Sequence, residues 1–259
     1  MEESVRSAHS DSRLPGSGSL GSRLLNVLAT PGDVFAEVKA STASAKNWLI
    51  PALISSFMGV IAAVVLFSQP SILQQLREQQ EQAMEKYVSS GKMTREQMEK
   101  AQEAMEKFSG PGITKLMVSV TAVIASLAKI IWWGFVLWAL GRWIFKTQFP
   151  YMQAVEMAGL ATMIIVLRAI VSLLLAVSLG NMFATPSLAL FVDQFDPTSR
   201  THIALAAVNL FNLWFVGTMA VALSKLATVS FAKAALVVFG GWVLIDIILI
   251  SIGAGQFVM

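Results

Sequence analysis

Five long stretches of predominantly apolar residues, near 48–68, 117–145, 153–179, 203–224 and 233–252, constrain this chain more than anything else in it. A helix rising about 1.5 Å per residue needs roughly 20 residues to cross the roughly 30 Å hydrocarbon core of a bilayer, and each stretch supplies them. In lipid every backbone N–H and C=O must be satisfied inside the segment, which makes each stretch a helix. The expected fold class is all-α: a polytopic membrane protein with five transmembrane helices. The second and third stretches exceed the core thickness, so they must tilt or project beyond it.

Composition agrees and narrows the function. Hydrophobic side chains make up 55% of the chain and charged ones 14%, too apolar for an ordinary soluble domain. Cysteine is absent and the two histidines, His9 and His202, are far apart, which leaves little for thiolate or imidazole metal sites. The net charge of +3 is dispersed, so no nucleic-acid partner is expected. No HExxH, GxSxG or Walker-type loop occurs, and no histidine lies inside a stretch to activate a serine. The expectation is a protein without catalysis, cofactor or metal.

Residues 1–23 carry many serines and few bulky apolar side chains, which predicts a disordered tail. No apolar h-region precedes residue 48, so insertion is expected to begin at an internal span. Residues 24–47 read as amphipathic interfacial helices. In TPGDVFAEVK, Thr30 can cap, Pro31 suits the first helical position, and Asp33 favours the positive end of the helix. Val34, Phe35 and Val38 share one face, directed either to the membrane surface or to the end of the bundle.

Orientation follows from the short loops. Lys39 and Lys46 precede the first stretch, Arg142 and Lys146 lie between the second and third, and Lys225 and Lys233 between the fourth and fifth. The segment 180–202 has Arg200 against Asp193 and Asp196, and the terminal QFVM has no base. The positive-inside rule therefore predicts a cytoplasmic N-terminus and an extracytoplasmic C-terminus.

An insert at 70–111 separates the first two stretches. Thr94 and Gln97 form a capping-box pair, and Met98, Ala101, Met105 and Phe108 step along one helical face. Upstream, Met84 and Tyr87 belong to a second stripe, and Ser89, Ser90 and Gly91 make a turn. This predicts an extracytoplasmic helical hairpin. Its stripe, Met84, Tyr87, Met98, Met105 and Phe108, either packs on itself or docks a partner. Methionine at this spacing is ordinary adaptable packing, and no copper site is read from it.

Polar residues inside the stretches are the remaining candidates. Counting up from Trp143 and Lys233 puts Lys129 and Asp246 at matching depth, with Arg168, Asn209 and Asn212 near the same level. Two readings compete for this layer. Lys129 pairs with Asp246, Arg168 snorkels toward the outer headgroups and Asn209 and Asn212 fix helix rotation, or the layer lines a cavity that takes an anionic headgroup or small solute. Glu156 is expected to pair with Arg142 or Lys146, or to be wetted at the interface.

Three quoted segments resemble the Yip family of membrane proteins: ATPGDVFAEV, NWLIPALISSFMGVI, and NLFNLWFVGTMAVALSKLATVSFAKAALVVFGGWVL. The likeness spans about residues 24–252. Yip proteins are known in eukaryotes as Rab-interacting proteins of early secretory vesicles and occur widely in bacteria. The resemblance implies five embedded helices and a cytoplasmic N-terminus. It does not imply Rab binding, because the acidic, tyrosine- and glycine-containing N-terminal signature of eukaryotic members is missing. The hydrophilic hairpin resembles bacterial members and points to a bacterial inner membrane.

The functional expectation is a scaffold or accessory subunit of a membrane assembly, in transport or trafficking, with membrane lipids and a membrane or periplasmic protein as partners and self-association left open. The alternative is lipid or small-solute binding or transport through the polar layer. Membrane shaping by the amphipathic helix is a third reading, by family analogy.

Overall fold

The computed structural model describes residues 18–91, 93–108, 111–193 and 195–254. The serine-rich residues 1–17 lie outside this set, as do the side chains of Tyr87, Met105 and Phe108. Ten α-helices are described: α1 (Leu20–Ala29), α2 (Pro31–Ala40), α3 (Lys46–Leu66), α4 (Pro70–Ser89), α5 (Arg95–Phe108), α6 (Pro111–Trp143), α7 (Tyr151–Leu179), α8 (Arg200–Ala207), α9 (Leu210–Ala227) and α10 (Phe231–Ser251). Among the described residues there is no strand, and one isolated bridge joins Ser187 to Asn209. Five helices, α3, α6, α7, α9 and α10, are long and apolar enough to cross a membrane.

Local chemistry sets the helix ends. Ser19 Oγ accepts from Ser22 N–H at 3.2 Å and starts α1, so the expected tail, 1–23, ends early and Arg23 is helical. Pro31 opens α2, with Asp33 in its first turn and Lys39 in its last, complementing the helix dipole. Thr94 and Gln97 exchange backbone and side-chain hydrogen bonds at 2.9 and 3.2 Å, the reciprocal cap expected for α5. Gly180, at φ 59°, ends α7 in the left-handed conformation that costs glycine least.

The fourth apolar stretch is not one span. It breaks at Val208–Asn209, where Asn209 turns extended and its Oδ1 accepts from Phe211 N–H at 2.9 Å. Residues 200–207 form the short α8, and α9 starts afresh at Leu210. Hydropathy alone runs through this break because apolar residues flank it on both sides. Local side-chain capping and the bridge to Ser187 decide it.

Around α7 and α9 the other helices gather. The main core joins Ala154, Met157, Leu160, Ala161 and Ile164 of α7 to Phe215, Met219, Leu223 and Leu226 of α9. Val27 of α1 and Val34, Phe35 and Val38 of α2 enter the same core, so the amphipathic helices pack on the bundle end. Each is at most 3% exposed, which answers where their apolar faces point.

Glycine permits the tightest helix crossing. A Cβ on Gly159 would stand 2.5 Å from the Trp48 Cα, so α3 and α7 approach backbone to backbone there. Trp133 of α6 meets Phe215 of α9 edge-on at 5.3 Å. At the periphery α10 packs on α9 and α8 and leaves Leu236, Val243, Leu244 and Ile247 exposed, a face suited to lipid.

Candidate functional site

Two polar clusters sit at opposite ends of the bundle. The first gathers where α1 and α2 meet α3 and α7. Glu156, 1% exposed, accepts from Ser44 N–H at 3.1 Å and from Asn47 Nδ2 at 2.6 Å, one bond to each carboxylate oxygen. Asn47 Oδ1 in turn accepts from Arg23 Nη1 at 3.3 Å. Arg23 closes the chain with a salt bridge to Glu37 Oε1 at 2.8 Å. Four helices are thereby tied through one hydrogen-bonded relay, buried at Glu156 and Asn47, where unpaired groups are costly, and partly exposed at Arg23 and Glu37.

Beside it, Lys39 of α2 donates to the Lys225 carbonyl at 2.6 Å and to Thr228 Oγ1 at 2.8 Å. A cation on the last carbonyls of α9 satisfies orphan acceptors and complements the dipole. Thr228 is a β-branched residue at φ 55°, a strained conformation that this contact helps to hold. A shallow groove of about 930 Å³ runs along the same seam, lined by Ala36, Lys39, Val221, Lys225 and Phe231.

At the opposite end, Arg168 of α7 donates from Nη1 to Asn212 Oδ1, and Asn212 reaches back to the Ala207 carbonyl at 3.5 Å. Lys129 of α6 is exposed at the surface of the bundle, with the Arg168 charge acting on it through space. Among the described residues neither cation has a carboxylate within salt-bridge distance. Asn209 is 2% exposed and caps α9. A partly enclosed cavity of about 160 Å³ opens here, lined by Arg168, Asn209, Thr185, Met182, Phe183 and Phe195.

The loop above this cavity is braced from outside the bundle. Gln75 of α4 donates to the Gly180 carbonyl at 2.6 Å and accepts from Met182 N–H at 3.1 Å. The Phe183 and Phe195 rings meet at a 36° tilt with centroids 4.9 Å apart. The first helix of the insert is thus fastened to the cavity's roof.

The structure joins Arg168 to Asn212 by a hydrogen bond and sets Asn209 on the same cavity wall, while Lys129 stays exposed on α6 outside the cavity lining. It does not bring Asp246 to Lys129. Asp246 stands on the peripheral α10, which packs on α9 and α8, whereas α6 packs on α3, α7 and α9. Matching depth is insufficient for pairing when the helices are not neighbours. Glu156 is likewise paired with Asn47 and the Ser44 backbone rather than with Arg142 or Lys146. Of the insert's stripe, Met84 and Met98 are half-buried, while Tyr87, Met105 and Phe108 fall outside the described side chains.

The relay of Arg23, Glu37, Asn47 and Glu156 was missed by reading each residue within its own segment. A signal existed. Glu156 and Asn47 each stand near the start of an apolar helix, at the end of the bundle where α1 and α2 pack.

The Yip1 domain family model matches residues 25–253. The chain belongs to the Yip1 family. It is accordingly an integral membrane protein, and the Yip1 family is a non-enzymatic one. No curated protein and no solved structure matches the chain significantly. The Yip1 match runs from Leu25 to Gly253 and takes in the Arg168 cluster and, apart from Arg23, the Glu156 cluster. The segment NLFNLWFVGTMAVALSK, prominent in the Yip resemblance, forms α9 with its Asn209 cap, the most deeply buried of the five apolar helices.

Proposed function

We propose that this Yip1 family protein acts without catalysis, as a scaffold or accessory subunit of a transport or trafficking assembly in a bacterial inner membrane. Its N-terminus faces the cytoplasm and its C-terminus the opposite side, as the distribution of Lys39, Lys46, Arg142, Lys146, Lys225 and Lys233 favours. The partner-facing element is the α4–α5 insert.

One observation carries the reading. The insert's two helices contact each other and are pinned at their base by Gln75, yet most of the described insert surface is exposed. Met98, half-buried on α5, marks an apolar stripe at helix-in-groove spacing. A polar appendage fastened at its base to a lipid-embedded bundle suits presentation to another protein better than solute passage.

A photo-crosslinking residue placed at Met98, in intact membranes, tests it. The expected result is a discrete protein adduct from this position and none from Leu236, which is 77% exposed on the lipid-suited face of α10. Identical patterns from the two positions, or no protein adduct from Met98, would overturn the scaffold role. Orientation is checked separately. Because the chain lacks cysteine, Glu85→Cys and Lys233→Cys give clean single-thiol variants. An impermeant maleimide applied to intact cells should label the first and spare the second.

A further inference from the structure

Beyond the scaffold role, we infer that the cavity at Arg168 is a binding site for a phosphate group, carried by a lipid headgroup or free in solution. The first ground is charge. Arg168 is the charged residue that lines the cavity. A guanidinium inside a membrane-spanning helix, with no carboxylate within salt-bridge distance among the described residues, leaves the site electrostatically incomplete. An anion held in the cavity against Arg168 completes it.

The second ground is unused hydrogen-bonding capacity. Asn209 Oδ1 accepts from Phe211 N–H, which fixes the amide's orientation and leaves Nδ2 with no protein partner among the described residues. This side chain is 2% exposed and lines the cavity, so its free N–H groups address the space inside. Arg168 commits Nη1 to Asn212 and keeps its remaining donors. The planar guanidinium fork matches two oxygens of a phosphate. Asn209 also sits at the N-terminus of the 18-residue α9, whose dipole favours an anion there.

Size and depth select the ligand. At about 160 Å³ the cavity is smaller than the roughly 300–1,000 Å³ pockets that take drug-sized molecules, but it admits a single headgroup. Arg168 lies 17 residues beyond Tyr151, roughly 26 Å along α7, close to the far boundary of a roughly 30 Å core. Lipid phosphates reside at that boundary. Phe183, Phe195 and Met182 supply an apolar wall beside the charge.

The test is thermal unfolding of the purified full chain in a phosphate-free maltoside detergent. It is titrated in separate arms with inorganic phosphate and with dioctanoyl phosphatidylglycerol, against chloride at equal ionic strength. Stabilisation by the short-chain lipid alone identifies a headgroup, and stabilisation by inorganic phosphate identifies a free or interchangeable phosphate. Either should need about ten-fold more ligand in Arg168→Gln, with Arg168→Lys between. Ala206→Phe, which fills the cavity wall without touching a hydrogen bond, should abolish the shift and serves if Arg168→Gln does not fold. No shift in the unmodified protein with either ligand, or an unchanged titration in these variants, overturns the site.

Discussion

At one end of the bundle Glu156, Asn47, Arg23 and Glu37 pass hydrogen bonds from one helix to the next, and a cation meets a carboxylate at 2.8 Å. At the other end Arg168 has one bond, to Asn212, and Lys129 has none among the described residues. Both clusters set an arginine against an asparagine, but only the first includes carboxylates. The first is closed and holds α1 and α2 against α3 and α7. The second is open, borders a cavity, and lacks its counter-charge. A satisfied buried network reads as architecture, whereas an unsatisfied one beside empty space reads as a place for a ligand.

Substitutions can break this contrast. Glu156→Ala strands the Ser44 N–H and the Asn47 amide in a buried site and should destabilise the protein by about 3–5 kcal/mol, read from unfolding in mixed micelles. Glu156→Gln keeps one acceptor and should cost about half as much. If Glu156→Ala unfolds like the unmodified protein, the closed cluster is not what holds the amphipathic helices.

Gly159→Ala comes next. Its Cβ would collide with the Trp48 backbone rather than with a side chain that can turn away, and a loss of about 1–3 kcal/mol is expected in the same assay. Lys39→Met removes a cation from the end of α9 but at an exposed position, where solvent screens much of its effect. It should cost about 0.5–1 kcal/mol and raise hydrogen exchange in the last turn of α9 first.

The smallest effects lie at the open cluster. Lys129→Gln and Asp246→Asn should be additive, with a coupling energy under about 0.5 kcal/mol in a double-mutant cycle. A larger coupling would mean that the two groups do meet and that the cluster is closed after all. Without added phosphate, Lys129→Gln should leave stability unchanged or raise it by about 0.5 kcal/mol, since it relieves repulsion with Arg168.

Elements governed by neighbours in sequence were legible from the start. Pro31 and Asp33 announced α2, the Thr94–Gln97 pair announced α5, and the apolar stretches announced five membrane helices. Of the polar residues named from the sequence, Arg168 and Asn212 share a hydrogen bond, and Arg168 and Asn209 line one cavity. The break at Asn209 was not legible, because its cap competes with an apolar run that would otherwise continue. Nor were the partners of Glu156, which come from 109 and 112 positions away.

By itself, then, the sequence determined that this chain lives in a membrane as a set of helices, since lipid forces each apolar segment to satisfy its own backbone. It also determined the Yip1 family, whose pattern runs through nearly the whole chain. Only the tertiary structure decided which polar groups are partnered. A span's hydropathy sets its depth but is nearly blind to its rotation and its neighbours. Those two variables placed Glu156 inside a closed relay, kept Asp246 away from Lys129, and left Arg168 facing a cavity.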